Sequence, residues 1–300
     1  MEVCGHATGA TRGIVYLIQD MYDQLAAVES AIEEATAAGL LQLEVEVHRA
    51  PLTYVAGEET AAIDSINGGE GKPTVKPPYP GERGVAGLPT TVNNVETLAH
   101  AAFIAREGAD AFLAYGTEGS TGTMLFTLGR EVKRPGVYEL PFGATYRELI
   151  DGCGGGTASG RAVRAILPAM SSGFLAAEHL DVPITHDGLR ALGSTPGCGG
   201  VRLVEEGAEV LPMLLEIAQF FMDEQCGQCP PCRMETNQLV HILKGVQAGK
   251  GPGYVEQIEK ITGFARGKGH CSLIEMAAAP ILSALKVFEV DLEAAAGSGS

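Results

Sequence analysis

Seven cysteines are spread unevenly along the sequence, and three of them are separated by only two residues each. These three are Cys226, Cys229 and Cys232, and Cys271 follows far downstream. Three thiols at this spacing can face one centre from a tight turn, and a fourth completes a Cys₄ set for a [4Fe–4S] cluster. A structural zinc ion or thiols without a ligand are the alternatives. Zinc sites usually pair two Cys-x-x-Cys hairpins, so the pattern favours the cluster.

The remaining cysteines, Cys4, Cys153 and Cys198, lie far from this group and from one another in the sequence. Residues 1–13 lack the charged and then apolar pattern of a signal peptide. An odd number of cysteines without a secretion signal disfavours a disulfide framework. We therefore interpret the three isolated cysteines as small structural hydrophobes.

The clustered thiols lie in a region whose apolar residues recur at helical spacing from Glu209 onward. The four apolar faces carry Leu214, Ile217 and Phe221; Leu239, Ile242 and Val246; Tyr254, Ile258 and Ile261; and Ile281, Leu285, Phe288 and Leu292. Four amphipathic segments with short connections predict an antiparallel, all-α four-helix bundle over residues 205–294. The Gly-Ser-Gly-Ser ending predicts a flexible tail over residues 295–300.

The middle of the chain carries short strand patterns. Residues 124–128 and 137–140 are two such runs joined by a turn with Lys, Arg, Pro and Gly, and residues 163–167 are a third. Thr145, with Glu148 three residues later, forms the capping-box pattern of a short helix. This order predicts a small β-grasp-like module over residues 123–204.

The first part of the chain alternates strand and helix patterns. Residues 13–18 suit a buried strand, residues 22–38 show helical spacing, and residues 43–48 alternate apolar and polar side chains. We expect four of these side chains to lie in buried strands: Val15, Leu17, Val45 and Val47. The order strand, helix, strand predicts an α/β layer over residues 1–122.

A segment without apolar periodicity follows this layer. Residues 66–91 are rich in Gly, Pro and Lys, which predicts a long functional loop or a disordered insert. Residues 93–104 then show helical spacing.

The charge balance excludes one class of partner. The sequence has 21 Lys and Arg against 37 Asp and Glu, a formal net charge of −16. Binding to a nucleic acid backbone needs clustered basic residues, so we expect no nucleic-acid partner. No apolar run approaches the length of a membrane span. We therefore expect a cytoplasmic protein without a direct membrane span.

Five motifs, taken in their order along the chain, resemble one known family. They are Tyr-Val-Ala-Gly-Glu-Glu-Thr at 54–60, Pro-Thr-Thr-Val-Asn-Asn-Val-Glu-Thr at 89–97, Gly-Thr-Glu-Gly-Ser-Thr-Gly at 116–122, Val-Lys-Arg-Pro-Gly-Val-Tyr at 132–138, and the cysteine group. Together they resemble the NADH-binding flavoprotein subunit of respiratory NADH:quinone oxidoreductase, with related subunits in NAD-linked hydrogenases and formate dehydrogenases. The resemblance covers roughly residues 5–292.

The resemblance implies a partial Rossmann-like flavin domain, a soluble-ligand-binding β-grasp module and a four-helix bundle holding the [4Fe–4S] cluster. In the family, NADH passes a hydride to FMN, and single electrons leave through the cluster. The resemblance assigns FMN contacts to Gly57, Glu58 and Glu59 in one loop, and to Asn93, Asn94 and Thr97 near the flavin phosphate. It also implies other redox subunits as partners, among them a thioredoxin-like [2Fe–2S] subunit.

Family members carry a further segment before the region that matches Gly5. That segment holds a glycine-rich loop with a lysine that cradles FMN and an acidic segment that meets NAD(H), and neither pattern occurs in this sequence. Three hypotheses follow: an electron relay without FMN or NAD(H), an NADH-oxidising FMN protein completed by another chain, and a shortened form of a normal subunit. We predict the first, in which the isolated chain does not oxidise NADH.

Overall fold

A computed structural model describes residues 1–297 of the chain. Residues 298–300, part of the predicted tail at 295–300, lie outside the described residues. The last helix reaches Ala296. The chain divides into two compact units, Met1–Ala109 and Asp110–Ser300.

The first unit is built on two parallel strands. Strand β1 (Arg12–Ile18) pairs in parallel with β2 (Glu44–Ala50), and helix α2 (Tyr22–Ala37) connects them. The predicted order of strand, helix and strand is confirmed. Helix α1 (Glu2–Thr8), which the sequence pattern did not predict, precedes β1, and α3 (Glu59–Ile66) follows β2.

The burial predicted for these strands is wrong. The side chains in question are only partly buried: Val15, Leu17, Val45 and Val47. A strand in a parallel sheet becomes fully buried when other strands flank it and helices cover both faces. In the part of the chain that the structure describes, this sheet has two strands, so each strand has a neighbour on one side only.

The segment between α3 and α4 (Val95–Glu107) is the long loop that the composition predicts. It contains a short 3₁₀ turn at Val85–Gly87 and is hydrogen-bonded to α3, because Asp64 Oδ2 accepts from the backbone N of Gly71 (2.9 Å) and of Lys72 (3.1 Å). Some of its residues are buried: Gly71, Pro73, Pro80 and Gly84. The loop is therefore packed against its unit and is not a disordered insert.

The second unit contains a five-stranded sheet with the order β6–β5–β9–β7–β8. Its strands are β5 (Thr123–Leu128), β6 (Gly136–Pro141), β7 (Val163–Leu167), β8 (Leu175–Ala176) and β9 (Gly200–Glu205). The three predicted strands correspond to β5, β6 and β7. Strand β9, which was not predicted, lies between β5 and β7, parallel to the first and antiparallel to the second. Short elements precede this sheet: α5 (Ala109–Leu113), β3 (Gly116–Thr117) and β4 (Ser120–Thr121).

The sheet of the second unit separates two apolar cores. On one side, Ile166 of β7 packs with the π-helical segment Glu148–Cys153 and with α6 (His186–Ala191). On the other side, Ala165 and Leu167 pack with the C-terminal helices. Both faces of β7 are therefore covered, which agrees with its uninterrupted apolar run at Ala165, Ile166 and Leu167.

The predicted capping box is present. The backbone N of Thr145 donates to Glu148 Oε2 (2.8 Å), and the backbone N of Glu148 donates to Thr145 Oγ1 (3.1 Å). Tyr146 lies inside this turn and is fully buried. The cap therefore fixes the point at which the chain enters the core.

In the described residues, five helices follow β9. They are α7 (Leu211–Glu224), α8 (Pro230–Gln247), α9 (Tyr254–Ala265), α10 (Leu273–Val287) and α11 (Glu289–Ala296). The fourth predicted segment is split at Phe288, whose φ of −124° and ψ of 30° are not helical. Helix α8 contacts each of the other four, and the predicted face residues are buried, with Ile261 and Leu285 half-buried. Within residues 1–297, no helix combines the length and apolar character that crossing a membrane requires.

Phe288 also joins the helices to the sheet region. Its ring meets that of Phe174 edge-on, with 5.1 Å between centroids, and the Arg164 guanidinium lies 5.0 Å from its centroid. Arg164 in turn pairs with Asp291 on α11. The helices and the sheet therefore share one packed interface.

Candidate functional site

Two loops place the four predicted cysteine ligands at the same end of the helices. Cys226 lies between α7 and α8, Cys229 immediately precedes α8, and Cys232 is in its first turn. Cys271 lies between α9 and α10. A direct contact joins the two loops, since the backbone N of His270 donates to Cys229 Sγ at 3.3 Å.

The other three clustered thiols contribute to the electrostatics of Cys232. Burial is the main cause that raises the pKa of the Cys232 thiol to about 12. The charges of four neighbouring residues also raise it: Cys229, Cys271, Glu235 and Cys226. Such a thiol is protonated at neutral pH, so a metal centre must displace its proton in order to bind it. The donor set is soft sulfur, which suits iron–sulfur clusters and zinc.

N–H groups surround these sulfurs. Besides His270, Gln228 donates through Nε2 to Cys226 Sγ at 3.5 Å. The start of α8 also lies at the thiols. Pro230 and Pro231 have no backbone N–H there, so it is the dipole of the helix that favours negative charge at this end. The side chains of Arg233 and His270 are exposed. The contact of His270 with Cys229 Sγ is made by its backbone N–H and not by its imidazole ring.

Glu235 is a buried carboxyl group one helical turn after Cys232. It is 1% exposed, and its Oε2 has no hydrogen-bond partner. Burial, with a smaller contribution from the charge of Glu275, raises the pKa of Glu235 to about 8. Glu275, on the first turn of α10, is exposed and accepts a hydrogen bond from the backbone N of Gly267 (2.8 Å).

The other three cysteines lie elsewhere. Cys4 and Cys153 are partly buried. Cys198 is exposed in the turn before β9, so its interpretation as a packed structural residue is wrong. Within residues 1–297, no group of three or more His, Cys, Asp or Glu side chains, the four clustered thiols included, is arranged to hold a single metal ion.

In the first unit, the two acidic residues assigned to FMN are held by a lysine. Glu58 caps α3, because its Oε2 accepts from the backbone N of Thr60 (2.8 Å) and of Ala61 (3.1 Å). Lys76 Nζ, from the long loop, lies 2.9 Å from Glu58 Oε1 and also pairs with Glu59. Burial favours a higher pKa of Glu58, but hydrogen bonds from Thr60, Lys76 and Ala61 outweigh it and lower the pKa. The hydrogen bond to Glu59 is the main cause that raises the pKa of Lys76.

The remaining residues assigned to FMN are exposed. Gly57 has open space where a side chain would project. Asn93, Asn94 and Thr97 lie at the start of α4, where Asn94 Oδ1 caps the helix by accepting from the backbone N of Glu96 (2.8 Å). Amide and hydroxyl groups at a helix start suit a phosphate. The start of α4 therefore fits the phosphate end of FMN, whereas Glu58 and Glu59 already have a cationic partner.

Lys76 and Glu235 are residues of these sites that the sequence did not predict. Lys76 belongs to the Lys-Pro-Pro stretch of the loop at 66–91, whose length alone indicated function. Glu235 falls on the buried face of α8, between Cys232 and Leu239, where an apolar residue is expected. Its position in that stripe is the signal that could have identified it.

Three family descriptions match the chain. Residues 1–102 match the Nuo51 FMN-binding domain, and residues 127–169 match the SLBB domain. Residues 212–295 match the NADH-ubiquinone oxidoreductase-F iron-sulfur binding region, which includes the four clustered thiols.

Curated relatives decide the family. The F 2 subunit of the NADH-quinone oxidoreductase of Rhizobium meliloti is 34% identical over 98% of this chain and 72% of its own length. The chain belongs to the family of NADH-quinone oxidoreductase F subunits. The F subunit of the Streptomyces coelicolor NADH-quinone oxidoreductase is 36% identical over 96% of this chain and 66% of its own length. The HndC subunit of the NADP-reducing hydrogenase of Solidesulfovibrio fructosivorans is 35% identical over 98% of this chain and 62% of its own length.

This member of the F-subunit family spans about two thirds of the length of the curated relatives it matches. Among solved structures, an NAD⁺-reducing [NiFe]-hydrogenase in the H₂-reduced state matches with a TM-score of 0.90 and 30% identity, covering 98% of this chain and 51% of that chain. The resemblance inferred from the sequence motifs is confirmed, as is a mixed α/β fold that includes an SLBB domain.

Proposed function

We propose that this chain is an electron-transfer subunit of a multi-subunit, NADH-dehydrogenase-like oxidoreductase. It relays electrons through a [4Fe–4S] cluster bound by Cys226, Cys229, Cys232 and Cys271. The observation that carries this proposal is the grouping of these thiols inside the matched iron–sulfur binding region. Relatives named as subunits of NADH-quinone oxidoreductase and of NADP-reducing hydrogenase support a role within a complex.

The residues around the thiols have separate tasks. When bound, a [4Fe–4S] cluster accepts and releases one electron at a time. Cys229 and Cys232 are buried, so their sulfurs are shielded from water. The backbone N–H of His270 and the start of α8 offset negative charge on the sulfurs. The high pKa of Cys232 means that iron competes with a proton there, so loading improves as pH rises.

A second candidate is an FMN-containing subunit that oxidises NADH with flavin and NAD(H) loops supplied by another chain. The match of residues 1–102 to an FMN-binding domain favours it. The residues that would hold FMN are Gly57, Glu58, Glu59, Asn93, Asn94 and Thr97. Lys76 already compensates the charge of Glu58 and Glu59, which leaves them fewer acceptor positions for a ligand, so we rank this function second. In the first-ranked function, the chain alone does not oxidise NADH.

The proposed role extends to organisation and partners. We assign a partial Rossmann-like domain to residues 1–122, a β-grasp module to residues 123–204, and the [4Fe–4S] helix bundle to residues 205–294. A relay needs both a donor and an acceptor, so the chain works bound to other redox subunits, including one with a thioredoxin-like [2Fe–2S] domain. The expected compartment is the cytoplasm.

Anaerobic reconstitution with iron and sulfide tests the cluster. We expect iron and sulfide in the stoichiometry of one [4Fe–4S] cluster per chain, and a low-temperature EPR signal after reduction. Cys232→Ser lowers the iron content and removes the signal because a ligand is lost. Cys198→Ser is the matched control, since it removes an exposed thiol outside the group. Equal iron content in the two variants would show that the ligand assignment is wrong.

FMN analysis of the same preparations separates the two candidate functions. The first-ranked function expects no stoichiometric FMN and no NADH-driven reduction of an artificial acceptor by the chain alone. Stoichiometric FMN together with such activity would establish the second function instead.

A further inference from the structure

A cavity of about 330 Å³ lies in the second unit, and none of the four clustered cysteines lines it. Three cationic side chains contribute to its lining, Lys133, Arg147 and Arg161, together with the carboxylate of Asp151. Ile150 and Leu180, both almost fully buried, supply an apolar part of the wall. Its volume is within the range of small-molecule sites.

Lys133 is the cation whose charge is least compensated. In residues 1–297, its Nζ has neither an ion-pair nor a hydrogen-bond partner. A Cβ placed on Gly156 would lie 4.0 Å from Lys133 Nζ and 3.7 Å from Asp151 Oδ1. The Lys133 ammonium and the Asp151 carboxylate therefore lie on either side of the space next to Gly156, and they do not form an ion pair with each other.

Each arginine has a carboxylate partner and further donors, and that of Arg161 is Glu205, whose Oε2 lies 3.5 Å from Arg161 Nε. Arg147 donates through Nε to Asp181 Oδ1 (2.6 Å), and Arg161 donates through Nη1 to the carbonyl O of Glu206 (3.4 Å). A guanidinium has five N–H groups, so both side chains keep donors for a ligand. A planar guanidinium group can donate two parallel hydrogen bonds to two oxygens of one phosphate.

The backbone around the cavity is already fixed. The backbone N of Lys133 donates to the carbonyl O of Gly156 (3.0 Å). The backbone N of Gly156 donates to the carbonyl O of Ile150 (2.9 Å). Thr157 Oγ1 donates to the carbonyl O of Arg161 (2.6 Å). Because the cavity exists before a ligand arrives, little ordering cost opposes binding.

From this geometry we propose that the cavity binds a small phosphate monoester of nucleotide size. Lys133, Arg147 and Arg161 take the phosphate, Asp151 accepts a hydrogen bond from a ligand hydroxyl group, and Ile150 and Leu180 contact the apolar part. A polyanion such as RNA is disfavoured because the whole chain carries a formal net charge of −16. A single phosphate group is small enough to contact the three cationic side chains that line the cavity.

Isothermal titration calorimetry of the full chain at low salt tests the proposal, with AMP, adenosine and inorganic phosphate as probes. We expect AMP to bind with a Kd below about 1 mM and adenosine to bind at least about tenfold more weakly, because a charge-assisted hydrogen bond is lost. Inorganic phosphate is also weaker than AMP, because it lacks the apolar contacts.

Two substitutions locate the bound AMP. Lys133→Gln weakens AMP binding by about tenfold, and Lys133→Glu removes it. Lys244→Gln, which deletes an exposed lysine on α8, leaves the affinity unchanged. The proposal is overturned if AMP does not bind, if adenosine or phosphate binds as tightly as AMP, or if Lys133→Gln matches the Lys244→Gln control. Equal AMP affinities of Lys133→Gln and Lys244→Gln would mean that AMP binds elsewhere, for example in the first unit. This outcome does not affect the iron content measured in the reconstitution experiment.

Discussion

The buried carboxyl group of Glu235 should make the stability of the chain depend on pH. Its pKa rises from 4.5 to about 8 in the folded protein, mainly because of burial. Below both pKa values, Glu235 is protonated in the folded and in the unfolded state, so its ionisation does not change the free energy of unfolding. As pH rises from 4.5 to about 8, the unfolded chain loses this proton first, so the folded state becomes progressively less stable.

The size of the effect follows from the shift. One pKa unit corresponds to about 1.36 kcal/mol, so the full shift bounds the loss at about 5 kcal/mol. Solvent relaxation around an ionised group reduces this bound, and we expect about 2 kcal/mol. For a unit of this size, about 2 kcal/mol corresponds to a decrease of about 4–8 °C in the apparent Tm.

Thermal unfolding of the full chain, followed by circular dichroism between about pH 5 and about pH 9, measures this decrease. In Glu235→Gln the side chain cannot ionise, so the difference in Tm between the variant and the native chain should grow with pH across this window. The control Glu259→Gln removes an exposed carboxylate from α9 and should track the native chain. A pH-independent difference between Glu235→Gln and the native chain would refute the reasoning.

Three further substitutions test the packing. Phe288→Ala should lower the free energy of unfolding by about 3–5 kcal/mol in a denaturant titration, because the ring is fully buried, while Phe264→Ala, with 49% exposure, should cost far less. Lys76→Gln should speed amide hydrogen exchange in α3, because both acidic residues paired with it lose their counter-charge at a cost of about 1 kcal/mol; unchanged exchange would contradict the ion-pair network. Thr145→Ala should lower the apparent Tm, since the capping box contributes about 1 kcal/mol.

Local patterns predicted the elements whose signals lie within a few residues. Strand β7 begins and ends at the residues expected from its apolar run, and the capping box of Thr145 and Glu148 follows from their spacing alone. Spacing also predicted the thiol group, whose members the fold places at the same end of the helices. Strand β9 escaped prediction because glycines precede it and its charged residues, Arg202 and Glu205, interrupt the apolar pattern. Its place between β5 and β7 is set by long-range pairing.

Burial could not be predicted where it depends on distant neighbours. Val15 and Val47 have the residue types of a covered strand, but the number of adjacent strands decides how much of them is covered. Glu235 shows the opposite case, since a charged residue type indicates a surface position while the packing of α8 encloses it. The link between Lys76 and the acidic pair likewise depends on how a long loop returns to its unit.

The division of the four thiols between two loops has a consequence for biosynthesis. Cys226, Cys229 and Cys232 are synthesised before most of α8 and before the whole of α9, whereas Cys271 follows both helices. A nascent chain therefore offers an incomplete ligand set during the synthesis of these two helices. Cys271, the proposed fourth ligand, joins the other three only after α8 and α9 have folded back to bring the loops together. We therefore expect the complete set of four thiols to form only in chains whose helices have already folded correctly.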